Sequence, residues 1–290
     1  MTYKVSAGEG ATIQERMDGA DWGAITASIN EIGYAEIEGL VPNSLCDDLT
    51  RENSYFRWEI EDSGLRASEA LPGTVWRKTE LRDGKWGRNA TALYYDSPLP
   101  HPVLDIQQGL YKHMKPLARE FSKAIELPYE YPDSYQEFVD MGTQNGKTWP
   151  GSVFIHYWDE AENELHQDVY FDSNKQQAQS VFFPFQAVLM LSQHGQDYEG
   201  GAFMLAEQYR NKHFSEPQKY TPDKGSLGIF VSSSLPHGQS GNRKLRRIFH
   251  GMDEMQMGER NAIGILVGNA SDKNRQRPKP LQLEGRGLII

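Results

Sequence analysis

Ser152-Val153-Phe154-Ile155-His156-Tyr157-Trp158 marks the point where the chain changes texture. Before it the apolar residues recur at helical spacing or without pattern; after it they come in short β-like runs. Glu164–Val169, Phe182–Leu191, the stretch after the Gly200-Gly201 turn, Ser226–Val231, Arg246–Met252 and Arg260–Val267 follow, making at least seven β-rich segments in about 115 residues. No helical pattern separates them, so a βαβ winding is not expected and the strands should pair among themselves. The economical architecture is mainly β with flanking α: a double-stranded β-helix, a jelly roll of the cupin type, with N-terminal helical support.

Working outward, residues 151–270 form the β core, 21–150 a helical and loop region packed on it, 1–20 a flexible polar tail and 271–290 a polar C-terminal tail. Trp22, Ile25, Ile29 and Ile32 recur at three- and four-residue spacing, predicting a helix that Gly33 ends. A strand over 34–41 and a second helix from Asn43-Ser44 through Leu49 come next. Residues 53–100, with Trp58, Trp76 and Trp86, lack periodicity and read as loops and short strands. The spacing then predicts a long helix over 103–125 and a short one over 134–141. Ser232–Gly241 reads as a Ser/Gly-rich loop.

The bulk properties narrow the function. Thirty Lys plus Arg against forty Asp plus Glu give a net charge of −10, which argues against a protein that holds nucleic acid mainly through its phosphates. The single cysteine, Cys46, excludes an internal disulfide and a cysteine-based zinc site and fits a reducing compartment. Neither a signal peptide nor a membrane-length apolar run is present, so a soluble, cytoplasmic location is expected.

The candidate chemistry lies in the β core. In Leu165-His166-Gln167-Asp168 the side chains of residues i and i+2 leave an extended strand on the same side, so His166 and Asp168 can reach one metal ion. A third ligand is offered by His250, 84 positions on and inside a strand-like run; Arg260 opens a further run ten residues later. His237 is the competing choice, with Arg247 ten residues beyond it, but it falls in the Ser/Gly-rich loop, and we favour His250. Two histidines and a carboxylate leave three positions open, as in non-haem Fe(II) oxygenases, and a lone arginine suits the distal carboxylate of 2-oxoglutarate.

The sequence resembles the 2-oxoglutarate and Fe(II)-dependent dioxygenases, and is similar to a prokaryotic branch with Leu-His-Gln-Asp-x-Tyr, Phe-Pro-x-Gln, Gly-Gly-x-Phe and Arg-His-Gly-Val motifs. They stand here as Leu165–Tyr170, Phe183-Pro184-Phe185-Gln186, Gly200-Gly201-Ala202-Phe203 and Phe249-His250-Gly251-Met252. The resemblance implies Fe(II) held by His166, Asp168 and His250, 2-oxoglutarate paired with Arg260, and O₂ as the other cosubstrate. Tyr157 matches an aromatic position that binds the cosubstrate in related oxygenases, and Gln186 could orient a ligand from the neighbouring strand. Asp168 favours hydroxylation over halogenation. Departures between Tyr170 and Phe183, and between Val231 and Arg247, flank the expected pocket. They make Tyr170, His237, Arg246 and Arg247 candidates for substrate or lid contacts. A small-molecule substrate is expected ahead of a nucleic-acid base, which Arg243, Lys244, Arg246 and Arg247 would have to attract. A catalytically idle jelly-roll binding protein is disfavoured, since all three ligands and the arginine are present.

Overall fold

The computed structural model describes residues 1–4, 10–63, 75–81, 87–95, 99–124, 130–145, 152–167, 183–209, 212–237 and 244–267. Asp168, Tyr170, the basic residue Arg243 and the tail 271–290 lie outside the described residues, as do the side chains of His237 and Lys244. In chain order the elements open with β1 (Thr2–Lys4), α1 (Ile13–Asp18), α2 (Trp22–Ile32), β2 (Tyr34–Glu38) and α3 (Asn43–Ser63). Next come β3 (Val75–Leu81), β4 (Gly87–Tyr95), α4 (His101–Ala124) and α5 (Tyr135–Asn145). The remainder is β: β5 (Ser152–His166), β6 (Phe185–Met190), β7 (Tyr198–Gly200), β8 (Phe203–Gln208), β9 (Gln218–Tyr220) and β10 (Leu227–Val231). It closes with β11 (Ser234–His237), β12 (Lys244–Met252), β13 (Met255–Gly258) and β14 (Arg260–Leu266).

The main sheet runs β1-β2-β10-β6-β14-β5-β12-β8-β9, with β4 on β5, β3 on β4 and β11 on β12. Its two ends meet. Tyr34 on β2 stacks on Tyr220 of β9 with ring centroids 3.7 Å apart, and Phe230 on β10 lies 4.8 Å from Phe203 on β8. Strands at opposite ends of the hydrogen-bonded order can touch only if the sheet curls until its inner faces oppose, which is the expected jelly roll. The chain is therefore mainly β with flanking helices, and no described helix is long and apolar enough to cross a membrane.

The helices cover the sheet as their apolar stripes dictate. In α2 the side chain of Asp21 accepts from the Ala24 amide at the N-terminus, Gly33 closes the C-terminus at φ 78°, and Ile25 and Ile29 are buried. Along α4, Val103, Ile106, Leu110, Met114, Leu117 and Phe121 all face inward.

Four expectations change. Residues 1–20 were expected to be a loose tail, but β1 pairs with β2, and α1 is closed by a Thr12–Glu15 capping box with Met17 buried against Gly109 of α4. The second helix continues past Leu49 to Ser63, because nothing in Asn43–Ser63 is a glycine or proline to stop it. The 53–100 segment supplies β4, a full member of the sheet hydrogen-bonded to β5, so the sheet reaches back across position 150. Ser234–His237, expected as loop, pairs with Lys244–Arg247 as a hairpin, since Leu235 finds a buried place there.

Candidate active site

β5 is the strand from which the site is built. Its first half pairs with β14, placing Arg260 opposite Tyr157, and its last residues pair with β12, placing His250 opposite His166. A strand this long can serve two partners only by bending. Glu160 takes φ 60°, and the pairing with β12 shifts register between Asn163 and His166. Arg88 fastens that bend, donating to the Glu160 carbonyl at 2.6 Å and to Glu254 just past β12 at 2.6 Å.

The two histidines are buried, with ring centroids 4.4 Å apart at an interplanar angle of 55°. Nδ1 of His166 donates to the Glu164 carbonyl at 2.6 Å. A carbonyl can only accept, so the proton is on Nδ1 and the lone pair on Nε2, the tautomer a metal ligand needs. Gly251 is required beside them: a Cβ there would sit 2.6 Å from the Asn163 carbonyl, so any side chain would push β12 off β5. Gln167 points the opposite way from its neighbour. Its amide donates to the Ser233 carbonyl at 2.6 Å and the Ile248 carbonyl at 2.7 Å, tying the ligand strand to β12 and to the entry of the β11–β12 hairpin.

A cavity of about 90 Å³ opens at this pair. That is several times the roughly 10–15 Å³ one water needs. Its wall includes His166, His250, Arg260, Tyr157, Asn163 and Gln186, and is otherwise mostly apolar, with Val153, Ile155, Val188, Phe203, Phe230 and Ile265 among the lining. Arg260 is 3% exposed, its guanidinium lying over the Tyr157 ring at 5.4 Å and the Tyr198 ring at 5.9 Å. Among the described residues it has no carboxylate partner and its Nε is unbonded, while one of its terminal nitrogens donates to Met190 sulfur at 3.4 Å. The Gly200-Gly201 turn makes room for it. Both glycines have positive φ, and a Cβ on Gly201 would lie 2.7 Å from Met255 and 3.4 Å from Arg260. A buried, unneutralised guanidinium is costly unless an anion reaches it.

Of the sequence candidates, His166, His250, Arg260, Tyr157 and Gln186 therefore meet at one cavity, and Asp168 and Tyr170 lie outside the described residues. Strand alternation separates Arg246 from Arg247. Arg246 shares the face of His250 and is tied to Glu207 at 2.8 Å, whereas Arg247 lies on the opposite face over the Phe249 ring. His237 pairs through its backbone with Lys244, at the far end of β12 from His250. Sequence reading missed Asn163, whose buried Oδ1 has no partner among the described residues, and Gln167, which period-two alternation from His166 would have marked as outward. It also missed the aromatic wall: Phe230 and Phe203 lie 4.8 and 6.2 Å from the His250 ring. Behind them, burial pushes the phenols of Tyr34 and Tyr220 above their ordinary values.

The curled β-sheet thus brings a histidine pair and an arginine with no carboxylate partner among the described residues to one cavity, and a family match gives the class. Residues 91–270 match the family Oxygenase-NA, described as "oxygenase, catalysing oxidative methylation of damaged DNA". That match spans more than half of the chain: the protein belongs to this oxygenase family. An uncharacterized protein of Mycobacterium tuberculosis is 27% identical over 222 residues, covering 74% of this chain and 91% of its own. Among solved structures, a Pseudomonas putida prolyl-4-hydroxylase is similar with 13% identity and a TM-score of 0.45, covering 84% of this chain and 97% of that one. A 2OG-Fe(II) oxygenase family oxidoreductase from Burkholderia pseudomallei has 13% identity and a TM-score of 0.43, over 96% of this chain and all of that one.

Proposed function

We propose that the protein is an Fe(II)- and 2-oxoglutarate-dependent oxygenase that oxidises an unactivated C–H bond, with succinate and CO₂ as coproducts. The observation that carries this reading is the pairing of a histidine couple, opposed across β5 and β12, with a buried arginine that has no carboxylate partner among the described residues, on the wall of one cavity. The donor set fits. His166 presents Nε2, His250 stands opposite it, and Asp168, two residues from His166, completes two histidines and a carboxylate. Bound iron would supply the activation of O₂. The chain's own residues do the rest. Arg260 takes the distal carboxylate of 2-oxoglutarate in a charge-assisted pair, with the Tyr157 hydroxyl and the Asn163 amide beside it. Gln186 offers an unsatisfied acceptor to a donor on the ligand. The apolar lining excludes water from the reacting bond and holds the substrate in place.

For substrate class, the net charge of −10 and the small, largely apolar cavity favour a small molecule. A modified nucleic-acid base is the second reading. It is favoured by the description of the family and by the Arg247–Phe249–Phe214 cluster on the outer face of β12, the residue types on which bases stack. Adding Fe(II) and 2-oxoglutarate without oxygen should give a weak visible absorption band, and admitting O₂ should give succinate. Protein that binds neither would end the oxygenase proposal. Salt-sensitive binding of single-stranded DNA decides the substrate class: a shift that weakens steeply with salt selects the base, and no binding at low salt selects the small molecule.

A further inference from the structure

A continuous set of aromatic rings leads from His250 to the surface. The His250 ring lies against Phe230 at 4.8 Å and Phe203 at 6.2 Å, and those two are 4.8 Å from each other. Phe203 contacts Tyr34 at 6.0 Å, and Tyr34 stacks on Tyr220 at 3.7 Å with an interplanar angle of 18°. The chain ends at solvent: Tyr220 is partly exposed and its hydroxyl donates to Gln218 Oε1 at 2.7 Å.

Tyr34 is the residue that needs explaining. Its ring is buried, yet its hydroxyl has no hydrogen-bond partner among the described residues. Gly228 leaves the space that the phenol occupies, since a Cβ there would lie 2.8 Å from the Tyr34 oxygen. A buried hydroxyl without a partner weakens a fold, and phenylalanine would fill the same space without that defect. What phenylalanine lacks is an easily oxidised ring. The two tyrosines are stacked, so a positive hole on one is shared with the other. Only Tyr220 has an acceptor for the proton that a phenol must lose when it gives up an electron.

We propose that Tyr34 and Tyr220 form an oxidation sink that protects the centre when O₂ is activated there with no substrate in the cavity. The inference rests on the oxygenase reading above and on His250 as a metal ligand. In the step, the stacked phenols would give up one electron at a time across Phe203 and Phe230 to the oxidising equivalents that uncoupled O₂ activation leaves in the cavity, each electron being matched by one proton taken up from water in exchange with solvent. Tyr220 loses that electron and releases its phenolic proton to the solvent it partly faces, becoming a neutral tyrosyl radical. A dissolved thiol then returns a hydrogen atom, and a second passage of one electron and one proton by the same route, with a second thiol, removes the remaining oxidising equivalent, the two thiols ending as one disulfide. The two phenylalanines bridge the gap without being oxidised themselves, because their rings are much harder to oxidise than a phenol.

The test uses the full chain loaded with Fe(II) and 2-oxoglutarate, exposed to O₂ without other substrate. Rapid freezing and electron paramagnetic resonance should reveal a tyrosyl radical, and peptide mass spectrometry should find oxygen added at Tyr220 or Tyr34. In Tyr220→Phe and Tyr34→Phe the radical signal should be lost and oxidation should move to Phe203, Phe230 or His250, with faster self-inactivation. Tyr34→Phe should melt no lower than the parent, which separates a relay from a structural role. A radical-free parent, or a signal unchanged in both variants, overturns the sink. The anaerobic Fe(II) and 2-oxoglutarate band is recorded first: its absence defeats the oxygenase reading and the sink together, whereas its presence without a radical defeats the sink alone.

Discussion

On the histidine side of the cavity, orientation is imposed by the backbone; on the arginine side it is imposed by aromatic faces and by space. His166 is locked by the Glu164 carbonyl, Gln167 binds two carbonyls behind it, and Gly251 sets the strand separation. Arg260 lies between the Tyr157 and Tyr198 rings beside the room left by Gly201, with a buried Nε that has no hydrogen-bond partner among the described residues. His166 and Gln167 find their hydrogen-bond partners in the fold, whereas Arg260 finds no carboxylate among the described residues. What is missing at the second is negative charge, so the two sides should respond to substitution in different currencies: metal affinity at one, cosubstrate affinity at the other.

The largest effect is expected at the histidines. His250→Ala should abolish the anaerobic Fe(II) band and succinate release, exceeding the roughly 10–100-fold loss seen when only a supporting hydrogen bond of a metal site is removed. His237→Ala should leave iron binding intact. The reverse outcome would mean that the opposition of His250 and His166 across β12 and β5 is only packing.

Next is Arg260→Met, a change of charge at similar length. Removing one partner of a buried charge pair costs about 2–5 kcal/mol, hence a rise in KM for 2-oxoglutarate on the order of 100-fold or more. Iron affinity measured without cosubstrate should hardly move. If Arg260→Met and His250→Ala lower iron binding alike, the contrast between the two sides of the cavity is false.

Smaller effects separate scaffold from site on the histidine side. Gly251→Ala forces a Cβ toward the Asn163 carbonyl, 2.6 Å away, and should lower stability by about 1–3 kcal/mol, read from a denaturation midpoint. Gln167→Leu removes both donors to Ser233 and Ile248 and should cost a similar amount, about 1–3 kcal/mol. Because Gln167 sits next to His166, its loss should also weaken iron binding while KM for 2-oxoglutarate stays put. Unchanged iron affinity in Gln167→Leu would assign it to the fold alone.

These same residues show what was legible in the sequence. The β core could be read because short apolar runs divided by glycine and proline signal strands directly, and the order of His166, His250 and Arg260 along those runs placed them on neighbouring strands. The Thr12–Glu15 capping box was also written plainly, yet the glycines around it made the segment read as tail. β4 was hidden for a physical reason: it is buried on both faces over Ala90–Tyr95, so it lacks alternation, and the flanking Trp and charge disguised its ends. Which residues close the jelly roll could not be read, because Tyr34 and Tyr220 meet across the whole fold. Asn163 was missed for a related reason. The bend at Glu160 and the register shift before His166 break the period-two count that would assign its face.

Asn163 also supplies the finest test of the contrast. Its Nδ2 reaches the Tyr157 hydroxyl only at 3.4 Å, and its Oδ1 is buried without a partner among the described residues, so the fold gains little from the amide. Asn163→Ala should therefore leave stability unchanged or slightly raised, since an unsatisfied acceptor is removed. If the amide serves the ligand beside Arg260, KM for 2-oxoglutarate should rise by roughly 2–10-fold, the equivalent of one ordinary hydrogen bond. Iron affinity should stay at the parent value. A drop in melting temperature with no change in KM would move Asn163 to the satisfied side of the cavity, and Arg260 would then hold the cosubstrate without it.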